Sequence, residues 1–143
     1  MHHITMAESG LRVAILKSNA PAGLVMNTPF QKFRRSTGTL YFSVPKKSPG
    51  FSFRAWCLYN SIWFSGVKVV IKNPLGQTVY TCPSAFEGAT YNAPLAAVRS
   101  GGIWKVTFSK TPVKDHIFWD YNVLPSGASP YVGLRADRTP SLD

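Results

Sequence analysis

Apolar and polar residues alternate in short stretches along the chain, punctuated by Gly, Pro, Asn and Ser, and no stretch of about 12 residues keeps the period of a helix. The pattern predicts an all-β domain. Leu11–Leu16 opens the series. Thr39–Val44 sets Leu40, Phe42 and Val44 on one face, and the turn-forming run Pro45-Lys46-Lys47-Ser48-Pro49-Gly50 ends it. Phe51–Trp56 resumes the alternation, with Phe51, Phe53 and Ala55 towards a core and Ser52, Arg54 and Trp56 away from it. Val67–Ile71 and Gln77–Thr81 flank Lys72-Asn73-Pro74-Leu75-Gly76, where Pro presets φ and Gly permits positive φ, so a β-hairpin is expected. Gly101-Gly102 introduces Ile103–Phe108, whose Trp104, Val106 and Phe108 share a face and belong in the core. Ile117–Val123 is apolar on both sides at its start, as a strand inside a sheet would be.

A chain of 143 residues with about seven to nine such strands is expected to form one antiparallel β-sandwich, jelly-roll-like, over residues 11–143. Residues 126–143 are rich in Pro, Gly and Ser and read as a mostly irregular tail with one short strand, Tyr131–Leu134. Residues 1–10 read as a disordered or tag-derived end, and His2-His3 as part of it, not as a metal site. Composition agrees with a packed domain: 45% of residues are hydrophobic, 13% aromatic and only 15% charged, the reverse of a disordered chain. The charge is lopsided. Sixteen Lys and Arg face six carboxylates, Glu8, Glu87, Asp115, Asp120, Asp137 and Asp143, for a net charge of +10. Such a chain suits an anionic partner, whether nucleic acid, acidic polysaccharide or membrane surface. It ill suits a function that needs several converging carboxylates.

The start lacks a cationic segment followed by a long apolar run, and the longest apolar runs are about five residues where a membrane helix needs about 20. No secretory signal or transmembrane segment is therefore expected. The chain reads either as intracellular or as a domain of a longer exported protein, extracellular in the second case. Cys57 and Cys82 with the lone internal His116 make a poor zinc set. The cysteines have two readings: a disulfide closing a loop of about 25 residues, worth roughly 3 kcal/mol in an oxidising compartment, or unpaired thiols packed as small hydrophobes.

The order of segments carries a resemblance. Tyr41-Phe42-Ser43-Val44-Pro45-Lys46 precedes a strand of Phe-Ser-Phe type; Val67-Lys68-Val69-Val70-Ile71-Lys72-Asn73-Pro74-Leu75-Gly76 follows, then Gly102-Ile103-Trp104-Lys105-Val106. From about Thr39 to Val123 this resembles the jelly-roll accessory domains of bacterial secreted hydrolases, including galactose-binding-like carbohydrate modules and the P-domain and pre-peptidase C-terminal types. The resemblance implies a non-catalytic module that attaches a parent enzyme domain to polysaccharide or stabilises it. Many members of these groups hold calcium, which the scarce acidic residues here do not support.

No catalytic constellation emerges. His116 with Asp115 or Asp120 lacks an identifiable serine, no Gly-x-Ser-x-Gly is present, and Glu87 with Asp120 is a carboxylate pair only by default. The expectation is a non-enzyme with no cofactor and no metal. Aromatic residues point elsewhere: flat rings stack on the apolar faces of sugars while neighbouring polar groups bond their hydroxyls. Trp56-Cys57-Leu58-Tyr59-Asn60-Ser61-Ile62-Trp63-Phe64 runs from a strand end into a loop, where binding sites concentrate. Trp63, Tyr59 and Trp56 are the expected stacking residues, with Asn60 and Arg54 as polar contacts; the alternative is that these rings close the open end of the core. Phe30, Lys32, Phe33, Arg34 and Arg35 form the rival reading, a single-stranded nucleic-acid surface. Against it, the cations spread along the whole chain, and edge-strand lysines that discourage aggregation account for many of them. A third reading is a self-associating, capsid-type β-sandwich. The preferred expectation is a carbohydrate-binding or enzyme-accessory module for a neutral or acidic glycan.

Overall fold

The computed structural model describes residues 23–25, 31–33, 37–57, 66–85, 88–99, 101–113, 121–128, 131–133 and 135–139. They form β1 (Gly23–Val25), β2 (Gln31–Phe33), β3 (Gly38–Val44), β4 (Phe51–Cys57), β5 (Val67–Lys72), β6 (Thr78–Cys82), β7 (Ala89–Ala93), the short helix α1 (Leu95–Val98), β8 (Gly102–Lys110), β9 (Tyr121–Ser126) and β10 (Tyr131–Gly133), followed by a 3₁₀ turn at Ala136–Arg138. The strand expected at Leu11–Leu16 lies outside the described residues, as does the start of the one expected at Ile117–Val123.

All strand pairs are antiparallel, in a six-stranded sheet ordered β1-β10-β3-β8-β5-β6 and a four-stranded sheet ordered β2-β9-β4-β7. The pairs are nested. β4 joins β7, β3 joins β8, β2 joins β9 and β1 joins β10, with successive pairs falling in alternate sheets. That winding is a jelly roll. The β5–β6 hairpin is inserted at its innermost turn and extends the larger sheet beyond β8. The expected all-β sandwich is thus the observed fold. The short strand expected at Tyr131–Leu134 is present as Tyr131–Gly133 and lies inside the sheet, between β1 and β3.

Alternation explains which faces meet. Leu40, Phe42 and Val44 of β3, Phe51, Phe53 and Ala55 of β4, Val67, Val69 and Ile71 of β5 and Trp104, Val106 and Phe108 of β8 are all buried. Rings interlock across the sheets: Phe42 meets Phe51 at 4.8 Å and Phe53 at 6.4 Å, Trp104 meets Phe51 at 5.2 Å and Tyr91 at 6.1 Å, and Phe108 meets Phe53 at 6.1 Å between centroids. The Trp104 indole N–H is buried in this cluster without an acceptor among the described residues. The hairpin turn follows from its sequence. Asn73 Oδ1 accepts from the Leu75 and Gln77 amides (3.1 and 2.9 Å), and Gly76 supplies φ of +79°.

Because β5 and β6 overhang the smaller sheet, their inner side needs its own cover. Tyr80 of β6 provides part of it, packing on Tyr91 of β7 at 5.6 Å. Burial raises the Tyr80 phenol above its ordinary value of 10.0, and the neighbouring Cys82 raises it further, while a backbone hydrogen bond with Thr90 opposes the shift; burial also raises Tyr91. Cys82 carries a free, half-buried thiol that donates to the Ser84 carbonyl at 3.0 Å. The packed-thiol reading describes Cys82; the Cys57 side chain lies outside the described residues.

The ring cluster and the tyrosine closure each lead to a measurement. Phe53→Ala removes a ring that both sheets enclose and should cost about 3–5 kcal/mol, whereas Trp104→Phe also deletes the unsatisfied donor and should cost only about 1–2 kcal/mol in urea unfolding. Equal losses would contradict the packing account. For the tyrosines the folded-state pKa is the higher one, so the neutral phenols favour the fold below about pH 10 and that contribution is lost as pH rises through the folded values. Unfolding at about pH 8 and pH 11 should show this loss in the parent chain and a smaller one in the Tyr80→Phe/Tyr91→Phe variant; an unchanged pH slope would refute it.

Candidate functional site

β4 carries the residues on which the functional expectation and the structure meet. Its inward residues enter the core, so Ser52, Arg54 and Trp56 fall on the outer face of the four-stranded sheet. Arg54 is exposed and Trp56 half-buried, and the Arg54 guanidinium lies over the Trp56 ring at 5.1 Å from its centroid. A cation over an indole face is held by the ring quadrupole, so the two side chains act as one unit. The antiparallel register sets Thr90 opposite Arg54 and Asn92 opposite Ser52, both on the edge strand β7 and both exposed. On its other side β4 pairs with β9, where Leu124 is the Cα partner of Arg54 and Asn122 that of Trp56. Towards β7 the result is a polar strip of sheet face beside a partly accessible indole.

Trp63, Tyr59 and Asn60, the remaining members of the expected sugar site, lie outside the described residues. Lys32 and Phe33 of the rival nucleic-acid surface belong to β2, in register with Asn122 and Tyr121 at the edge of the smaller sheet. Phe30, Arg34 and Arg35 lie outside the described residues, as do His116, Asp115, Asp120 and Glu87. Among the described residues no group of three or more His, Cys, Asp or Glu could hold a metal ion, and no helix is long and apolar enough to cross a membrane.

The structure also gathers a cluster that sequence reasoning did not single out. The turn after β3, the β5–β6 turn and the segment from α1 to Gly102 meet at the end of the sandwich away from Trp56, as the registers Val44↔Gly102, Lys72↔Lys105 and Phe51↔Ala93 require. A cleft of about 440 Å³ there is lined by Lys47, Ser48, Leu95 and Arg99. Ser48 Oγ lies 2.8 Å from the Gly50 carbonyl and 3.1 Å from that of Gly127, tying the turn to the end of β9. In the sequence these residues are separated by whole strands, and no local motif marks them.

No family model, curated protein or solved structure matches this chain. Geometry and chemistry alone therefore carry the functional reading.

The Arg54–Trp56 pair sits outside the core, and this distinguishes it energetically from Trp104. Trp56→Ala should lower stability by no more than about 1 kcal/mol in urea unfolding, against about 3–5 kcal/mol for Trp104→Ala. Comparable losses would place Trp56 in the core and remove it from the candidate site.

Proposed function

We propose that this protein is a non-catalytic carbohydrate-binding module, of the kind that serves as accessory to a secreted hydrolase, and that it holds its glycan on the outer face of the four-stranded sheet. The observation that supports this reading is the Arg54–Trp56 pair on that face, with Ser52, Thr90 and Asn92 beside it. A sugar ring has an apolar C–H face and a polar rim. The accessible part of the indole receives the first, and the guanidinium, hydroxyl and amide groups bond the second. Arg54 restrains the indole before ligand arrives, which lowers the ordering cost of binding. β4 is paired on both sides, so the platform rests on backbone that does not have to rearrange. Trp63, Tyr59 and Asn60 follow β4 in sequence, and the proposal includes them as further sugar contacts.

Affinity electrophoresis through gels containing neutral and acidic polysaccharides tests the reading. The parent chain should be retarded by at least one of them, Trp56→Ala should weaken that retardation about tenfold, and Arg54→Ala should weaken it by less. Migration unaffected by every polysaccharide, or retardation that survives Trp56→Ala, would rule out this site.

A further inference from the structure

The end of the sandwich opposite Trp56 combines two features that a carbohydrate platform on the sheet face leaves unused. The first is positive charge that no carboxylate among the described residues answers at this end. Lys46, Lys47 and Arg99 are exposed around the cleft, and Lys72 and Lys105 add to them from neighbouring strands β5 and β8. Lys72 and Lys105 are direct cross-strand partners. Like charges so placed destabilise a sheet unless an anion answers them. The one carboxylate among the described residues, Asp137, is held by Arg135 through two hydrogen bonds of 3.0 and 2.9 Å in the segment after β10. It does not belong to this end.

The second feature is exposed aliphatic surface at projecting points. Leu75, at the tip of the β5–β6 turn, is 82% exposed, and Leu95, at the start of α1, is 56% exposed. These are the two most exposed large hydrophobics among the described residues, and both project at the cationic end. A soluble polyanion would use the charges and leave the leucines in water. A nucleic acid would need exposed rings for its bases, and none of the exposed large hydrophobics among the described residues is aromatic; Tyr41, on the outer face of the larger sheet, already has Lys105 over its ring at 6.0 Å. An anionic bilayer uses both features at once, phosphates and carboxylates meeting the cations while aliphatic tips enter the acyl boundary.

The arrangement is also built to hold its shape. Gly101 has φ of +65°, and a Cβ on it would come within 2.8 Å of the Lys46 amide nitrogen; Gly102 has φ of +116°, and a Cβ there would come within 3.0 Å of Pro74. Glycine at both positions lets the Lys46–Lys47 turn and the Leu75 turn close against the start of β8. The geometry points to this end of the sandwich as a docking surface for an anionic phospholipid membrane, with Lys46, Lys47, Lys72, Arg99 and Lys105 facing headgroups and Leu75 and Leu95 inserting between them. The surface is separate from the glycan platform, and the module has one face for each.

Co-sedimentation of the full chain with phosphatidylcholine vesicles containing about 30% phosphatidylserine tests it against pure phosphatidylcholine vesicles. The parent chain should bind the first and not the second. Leu75→Ala/Leu95→Ala should weaken binding about tenfold, and Lys47→Glu/Arg99→Glu should weaken it at least as much. Leu75 is almost fully exposed, so Leu75→Ala alone, with an unchanged melting curve, keeps the test independent of folding. Failure to bind anionic vesicles, or binding that ignores the leucine substitutions, would overturn the proposal. So would competition by polygalacturonate or poly(dT) that the leucine substitutions leave unaltered, since the cations would then serve a soluble polyanion. Polysaccharide retardation depends on Trp56 and not on Leu75, so the failure of either proposal is visible without the other.

Discussion

Aromatic rings meeting across the gap between the two sheets are the contact on which the rest of this fold depends. Phe42, Trp104 and Phe108 come from the larger sheet and Phe51, Phe53 and Tyr91 from the smaller, so their ring contacts cross between the sheets except that of Phe51 with Tyr91, which lies within the smaller one. Burial of apolar area would hold any two such sheets together without choosing their offset. Rings at 4.8 to 6.4 Å, tilted except for the stacked Phe42–Phe53 pair, choose it, because the ring quadrupole favours particular approaches. The buried Trp104 N–H shows how strongly packing governs here: a donor left without an acceptor, at a cost of about 1–3 kcal/mol, is tolerated for the volume the indole fills.

The large strands were legible because each carries a strict two-residue alternation of bulky apolar and polar groups. β3, β4, β8 and the β5–β6 hairpin appear within a residue or two of where their patterns end. β7 escaped notice. Its sequence is Ala-Thr-Tyr-Asn-Ala, and of its inward residues only Tyr91 is large, so the alternation has no amplitude. β1 and β2 are three residues long, too short for any period to register. Of the candidate site, Arg54 and Trp56 could be read because they share the polar parity of β4. The cationic end could not, because Lys47, Lys72 and Arg99 become neighbours only through the pairing of β3, β5, β7 and β8. Contacts made by topology leave no trace in local spacing.

Charge and shape take on different meanings at the two ends of the same strand. Near its start β4 lies beside the cationic turn, and near its finish it bears the indole; between them the outer face carries Ser52 and Arg54, with Asn92 and Thr90 opposite on β7. The strand thereby fixes the distance and the relative orientation of the two regions. Under the two proposals, a stiff spacer of this kind would keep glycan and membrane at a fixed mutual angle, which a flexible linker between separate modules does not do.

The nested strand pairs also impose an order on how the chain is wound. β5 and β6 are neighbours in sequence and can pair on the scale of about 1–10 μs. β4 can then meet β7 only across that hairpin, β3 meets β8 across a longer loop, and β1 with β10 must close nearly the whole described chain, so the entropy of closure grows layer by layer. The outermost layer is held by strands of three residues, which makes it the last to form and the first to peel. Seen this way, the hairpin inserted at the innermost turn is the spool on which the rest of the roll is wound, and its tight Asn73–Gly76 turn serves folding as much as it shapes the surface.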